Sequence, residues 1–179
     1  LEKKLASVVN KVVGKTKLTK TERSIIDNFV VYGTPETIPL GAGERAGVVG
    51  SFQAAFGDLP KTESAWADVV KIAKGRWPGA TSKKAEDRAK KSFEKIYKRA
   101  ADVKNQNDNA AVTIMAYGLR PGKRNMGSEG AAIKTFKAVY GRNPSTSAEW
   151  DQVRATAYSG ATRKPASKSS SGTVKTASE

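Results

Sequence analysis

Apolar residues recur along this chain at helical spacing. Leu5, Val8, Val9, Val12 and Val13 form one stripe and predict a first helix over Leu1–Val13, closed by Gly14. Thr19-Lys20-Thr21-Glu22 reads as a capping box, and the helix it opens carries Ile25, Ile26, Phe29, Val30 and Tyr32 before Gly33. Pro35 and Pro39 keep the next stretch out of helix. From about Gly43, Val48, Val49, Phe52, Ala55 and Phe56 define the face of a third helix ending at Gly57. Pro60 and Thr62 start a fourth, with Trp66, Val69, Val70 and Ala73 inward, and Gly75–Gly79 breaks it.

The pattern then restarts. A longer, highly charged helix is predicted over Ser82–Ala101, with Phe93, Ile96 and Tyr97 in the places of Val9, Val12 and Val13. Asn105–Asn109 supplies a polar N-cap for a helix carrying Ala110, Ala111, Ile114, Met115 and Tyr117, stopped by Gly118. Two more helices follow, one on Ile133, Phe136, Val139 and Tyr140, the other on Trp150, Val153 and Ala157 behind a Thr146–Glu149 capping box. Phe52, Gly57, Pro60, Thr62 and Trp66 return as Phe136, Gly141, Pro144, Thr146 and Trp150, offset by about 84 residues, longer than the common solenoid periods. The expected fold is therefore all-α. It comprises two tandem four-helix units, over 1–80 and 81–163, related by internal duplication, with a Ser/Lys-rich linker or disordered tail over 164–179.

Composition narrows the chemistry. Cysteine and histidine are both absent, which removes disulfides, thiol nucleophiles, the commonest general base and the commonest transition-metal ligand. No cofactor or metal is expected. Gly118–Lys123 falls one residue short of a phosphate-loop spacing and follows no strand, and Ser92-x-x-Lys95 lacks its companion motifs, so an enzyme is not expected. There is no run of apolar residues long enough for a membrane span. The net charge of +15 is the strongest compositional signal and favours anionic partners.

Three sets of residues are candidates for function. Arg120, Lys123 and Arg124 fall in a glycine- and proline-bearing loop, and Lys83, Lys84 and Lys91 in the densest basic stretch; these are the candidate anion contacts. In that stretch the acids Glu86, Asp87 and Glu94 are interleaved with the lysines, as on an ordinary solvated helix. Trp77, in a short insertion that the second half lacks, is a candidate interface residue, either sealing a junction or meeting a partner. Phe52 with Trp66, and Phe136 with Trp150, are expected to be core anchors of the two units.

The combined signature Phe-x-x-x-Phe/Tyr-Gly-x-x-Pro-x-Thr, followed by Trp and then by Gly-Ala-Thr at Gly79–Thr81 and Gly160–Thr162, resembles duplicated helical segments of predicted secreted or envelope proteins from candidate-phylum bacteria with reduced genomes. The resemblance spans most of 19–163, rests on packing and capping residues, and implies a location outside the cytoplasm but transfers no site. The expected function is a non-enzymatic extracellular or cell-surface module with a structural or assembly role, whose partners are further copies of itself or other envelope components. The alternative is a basic module that contacts nucleic acid or an acidic envelope polymer.

Overall fold

The computed structural model describes residues 3–164. Except for Lys164, the tail expected over 164–179 lies outside them. Among the described residues there are eight helices and no strand: α1 (Lys3–Val13), α2 (Lys20–Tyr32), α3 (Ala42–Phe56), α4 (Glu63–Ala73), α5 (Lys83–Tyr97), α6 (Gln106–Tyr117), α7 (Met126–Tyr140) and α8 (Ser147–Tyr158). No helix is long and apolar enough to cross a membrane.

Local chemistry sets the helix ends. Thr19 Oγ1 accepts the Glu22 N–H (3.0 Å) while Glu22 Oε1 accepts the Thr19 N–H (2.9 Å), and Thr146 and Glu149 repeat this reciprocal arrangement at α8. Thr62 caps α4 and Asn125 caps α7 through their side-chain oxygens. Both α3 and α7 end on a left-handed glycine, Gly57 and Gly141. α5 is shorter than the periodicity predicts. It stops at Tyr97 because Lys98 turns left-handed (φ 60°), the conformation Gly14 (φ 56°) adopts after α1.

The chain forms two compact units, and the first is not a continuous stretch. It comprises Leu1–Ala85 together with Tyr117–Arg124, a strap drawn from the α6–α7 connection. The second comprises Glu86–Ala116 and the described residues from Asn125 to Lys164. In unit one, α1 packs on α2 and α3, and α3 also meets α2 and α4. Val9, Ile26, Val30, Val48, Val49, Leu59, Val69 and Ile72 fill the space between them, each at most 2 % exposed. α3 is buried on more sides than its predicted single face, since Arg45, Ala46 and Ser51 are also inside.

The strap explains part of this. The Arg120 N–H donates to Ile72 O at the end of α4 (3.1 Å), and the Arg120 side chain runs along α3. Two glycines make room. A Cβ on Gly47 would lie 2.8 Å from the Arg120 guanidinium, and one on Gly75 (φ 76°) would lie 2.7 Å from the Arg120 carbonyl oxygen. In unit two, α7 packs on α8 around Ala132, Phe136 and Val153, flanked by Ile133, Tyr140 and Ala157.

Candidate functional site

The predicted site residues separate into internal and external groups, and not along the predicted lines. Arg120, expected as an exposed anion contact, is 3 % exposed. Its Nε meets Glu44 Oε1 (3.3 Å), and Nη1 donates to Ser51 Oγ (3.0 Å) and to the Gly118 carbonyl (2.7 Å). This guanidinium is a packing element of unit one and cannot present itself to a partner. A buried arginine survives there because a carboxylate and neutral acceptors surround it. Its neighbour Arg124 is half exposed and lies 3.9 Å from the same Glu44, whereas Lys123 is exposed.

The aromatic anchors also divide. Phe52 and Phe136 are buried as expected. Trp66 is half-buried, its ring 5.1 Å from that of Phe29 on α2. Trp150 is no core anchor, being 40 % exposed. At the position of Phe29, counted back from the closing glycine, α6 carries Ile114, so no matching ring is provided in unit two. Trp77 is 47 % exposed and stands against Tyr117 at 6.0 Å between centroids, while Tyr117 Oη accepts the Ser82 N–H.

Folding treats the two kinds of cation differently. Every described lysine except Lys71 is exposed, whereas Arg45 and Arg120 are buried. Arg45 caps the end of α2: Nε donates to Phe29 O (3.1 Å) and Val30 O (2.9 Å), Nη2 to Val31 O (3.0 Å), and Nη1 to Leu40 O. Burial lowers its pKa from the ordinary guanidinium value. The sequence reading missed this residue. Its signal was the single basic residue on α3, among the apolar positions of its face.

Nine of the fifteen described carboxylates are buried or half-buried as well. Asp108, 1 % exposed, takes a bidentate pair from Arg99 (2.6 and 2.8 Å) and the Asp102 N–H (2.9 Å). Burial pushes its carboxyl up, but Arg99 and the Asp102 amide outweigh this and hold it below its usual range. Hydrogen bonds from Arg142 draw Glu149 down to about 2 against the opposing effect of burial, helped by the Ser145 and Thr146 amides. Asp68 receives the Gly79 and Ala80 N–H groups (2.6 and 3.2 Å), and the fully buried Asp151 takes Arg154 Nη1 (2.6 Å).

A pocket of about 160 Å³ in unit two is lined by Arg99, Asn107, Asp108 and Gly160, but its charged groups are engaged with one another and with Thr162 O. Among the described residues no group of three carboxylates is placed to hold a metal ion.

The exposed basic candidates are clearest on α5. Lys83, Lys84 and Lys91 are all exposed there. Lys84, Arg88, Lys91 and Lys95 follow i, i+4, i+7, i+11 spacing and so share one stripe, while Asp87 and Glu94 fall beside it with Lys83, Lys90 and Lys98. The acids that dilute this segment in one dimension do not interrupt the stripe in three. Lys95, absent from the sequence-derived candidates, has its ammonium 5.8 Å from the Tyr140 ring centroid on α7. Arg142 approaches the same ring at 5.9 Å, and Lys137 lies one turn before Tyr140 and is exposed.

No family model matches the chain, and no curated protein or solved structure matches it.

Proposed function

We propose that the chain is a non-enzymatic, internally duplicated helical module that binds a polyanion through its exposed lysines. The observation that carries this reading is the sorting of charge by folding. Buried or half-buried carboxylates serve as ligands for arginines and backbone amides, whereas almost all lysines stay outside. The exterior is thereby more basic than a net charge of +15 spread evenly would make it. Lysine suits an exposed electrostatic role because its ammonium is a mobile point charge, while the planar guanidinium suits fixed internal pairing.

Duplication is supported by the equal fifteen-residue lengths of α3 and α7 and by matched stops and caps: Gly57 with Gly141, Gly33 with Gly118, Thr62 with Thr146. The module acts outside the cytoplasm in this reading. Binding of labelled duplex DNA, RNA, heparin and polyphosphate by the full chain at about 50 mM salt tests the function. At least one should bind in the micromolar range or better; uniformly weaker binding would sink it.

A second reading, assembly with further copies at a cell surface, is favoured by Trp150 and Trp77, two large aromatic side chains left well exposed. Sedimentation velocity over a wide concentration range tests it. A concentration-dependent shift lost in Trp150→Ala supports assembly, and a single monomeric species throughout rejects it.

A further inference from the structure

The lysine-rich exterior includes a patch where exposed ammonium groups lie beside an aromatic ring, and we infer that the α5–α7 face of unit two, built on Lys91, Lys95 and Lys137 beside Tyr140, docks along the phosphate backbone of a nucleic acid duplex. This rests on the polyanion reading above and assigns it a site and a ligand class. Lys91 to Lys95 spans about 6 Å at the helical rise, the axial run of about two phosphates on one B-form strand.

The exposed Lys95 ammonium stands 5.8 Å from the Tyr140 ring centroid, a cation–π approach worth about 0.5–1 kcal/mol that favours its position over α7. Tyr140 is itself fixed by Gln152, whose Oε1 accepts its hydroxyl at 2.7 Å, and by the Phe136 ring at 4.3 Å. Part of the ordering cost of binding is thus met before the ligand arrives. Neither Lys91, Lys95 nor Lys137 forms an ion pair with a described carboxylate, so contact with phosphate breaks no existing bridge.

The same geometry selects among polyanions. The Phe136 ring packs on Tyr140 at 4.3 Å and the Lys95 and Arg142 cations stand 5.8 and 5.9 Å from its centroid, so an unpaired base would have to displace one of them to stack there. Phe93 and Ile96 of α5 are buried at 0 % and 1 % exposure, so this helix has no apolar edge to insert into a lipid surface. What remains is a set of exposed point charges, suited to phosphates read without regard to sequence.

The test compares two triple variants of the full chain that lose the same charge. One is Lys91→Gln, Lys95→Gln, Lys137→Gln; the control is Lys3→Gln, Lys11→Gln, Lys15→Gln, three exposed lysines of unit one. Circular dichroism melts first establish that both remain folded. Against a short DNA duplex at about 50 mM salt, the α5–α7 triple should lose at least about 30-fold in affinity, with the salt slope shallower by about 2–3, while the control changes less than about threefold. Equal losses in both triples would overturn the site and leave the polyanion reading standing. Tight heparin or polyphosphate binding without duplex binding would overturn the ligand class. Absence of binding to every polyanion by the unmutated chain would remove the underlying reading.

Discussion

α3 and α7 have the same length and the same left-handed glycine stop, yet α3 buries eight of its residues and α7 two. The difference comes from what each unit lays against its helix. Unit one draws in the strap, so Glu44, Gly47 and Ser51 of α3 meet Arg120, and it turns Arg45 inward onto the carbonyls of α2. Unit two holds Arg99 and Arg142 with the carboxylates Asp108 and Glu149, nearer its surface. Similar helix patterns therefore tolerate two ways of satisfying a guanidinium: unit one buries it among carbonyls, a hydroxyl and one carboxylate, whereas unit two leaves it part-exposed against an acid.

The contrast breaks most sharply at the strap. Arg120→Ala removes the buried guanidinium that Glu44, Ser51 and the Gly118 carbonyl share, and should cost about 3–5 kcal/mol in urea denaturation. Gly75→Ala attacks the same junction by adding a methyl at a positive φ against the Arg120 carbonyl, and should cost about 2–3 kcal/mol. The control, Gly122→Ala, meets nothing within 4 Å and should shift the midpoint little. If Arg120→Ala and Gly75→Ala are as mild as that control, the strap is not part of unit one.

The paired tryptophans give the next effect. Trp66→Ala removes a half-buried ring from Phe29 and should cost about 2–3 kcal/mol, less than a full core truncation, whereas Trp150→Ala should cost under about 1.5 kcal/mol. Equal losses would mean that Trp150 is as much an anchor as its counterpart.

Acid sharpens the comparison further. A carboxyl whose folded pKa is depressed stabilises the fold above its ordinary value and loses that contribution as pH falls through the folded one. For Glu149 the window runs from 4.5 down to about 2. Thermal melts across that window should fall less steeply for Glu149→Gln than for the unmutated chain, and hydrogen exchange should place the difference at the start of α8. The carbonyl cap on Arg45 has no titrating partner, so Arg45→Met should leave the slope over the same window unchanged. The smallest effect is at Lys98, left-handed where α1 is followed by Gly14. Lys98→Gly should raise stability by about 0.5–1 kcal/mol.

These outcomes follow the line between what the sequence made legible and what it did not. Helix order, the Thr19–Glu22 and Thr146–Glu149 boxes and the stops at Gly33, Gly57 and Gly141 are local, decided within a few residues of each other. Arg120 was misplaced because an arginine between Leu119 and Pro121 looks like a loop cation, and only contact with distant Glu44 and Ser51 makes it internal. A faint signal existed in Gly47, a small residue on α3 whose missing Cβ leaves room for the Arg120 guanidinium. Trp150 was misjudged for a related reason: its position repeats that of Trp66, but the ring facing Trp66 comes from another helix and is not repeated. On α5 the spacing of Lys84, Arg88, Lys91 and Lys95 was in the sequence, and winding it as a helix separates this row from Asp87 and Glu94.

The central claim is that folding buries or half-buries most of the described carboxylates and leaves lysines to meet a polyanion. The most direct measurement is the slope of log affinity against log salt for the full chain and its preferred polyanion, between about 50 and 200 mM. Release of several counterions predicts a slope steeper than about −3. A slope near zero, with affinity indifferent to salt, would contradict the account.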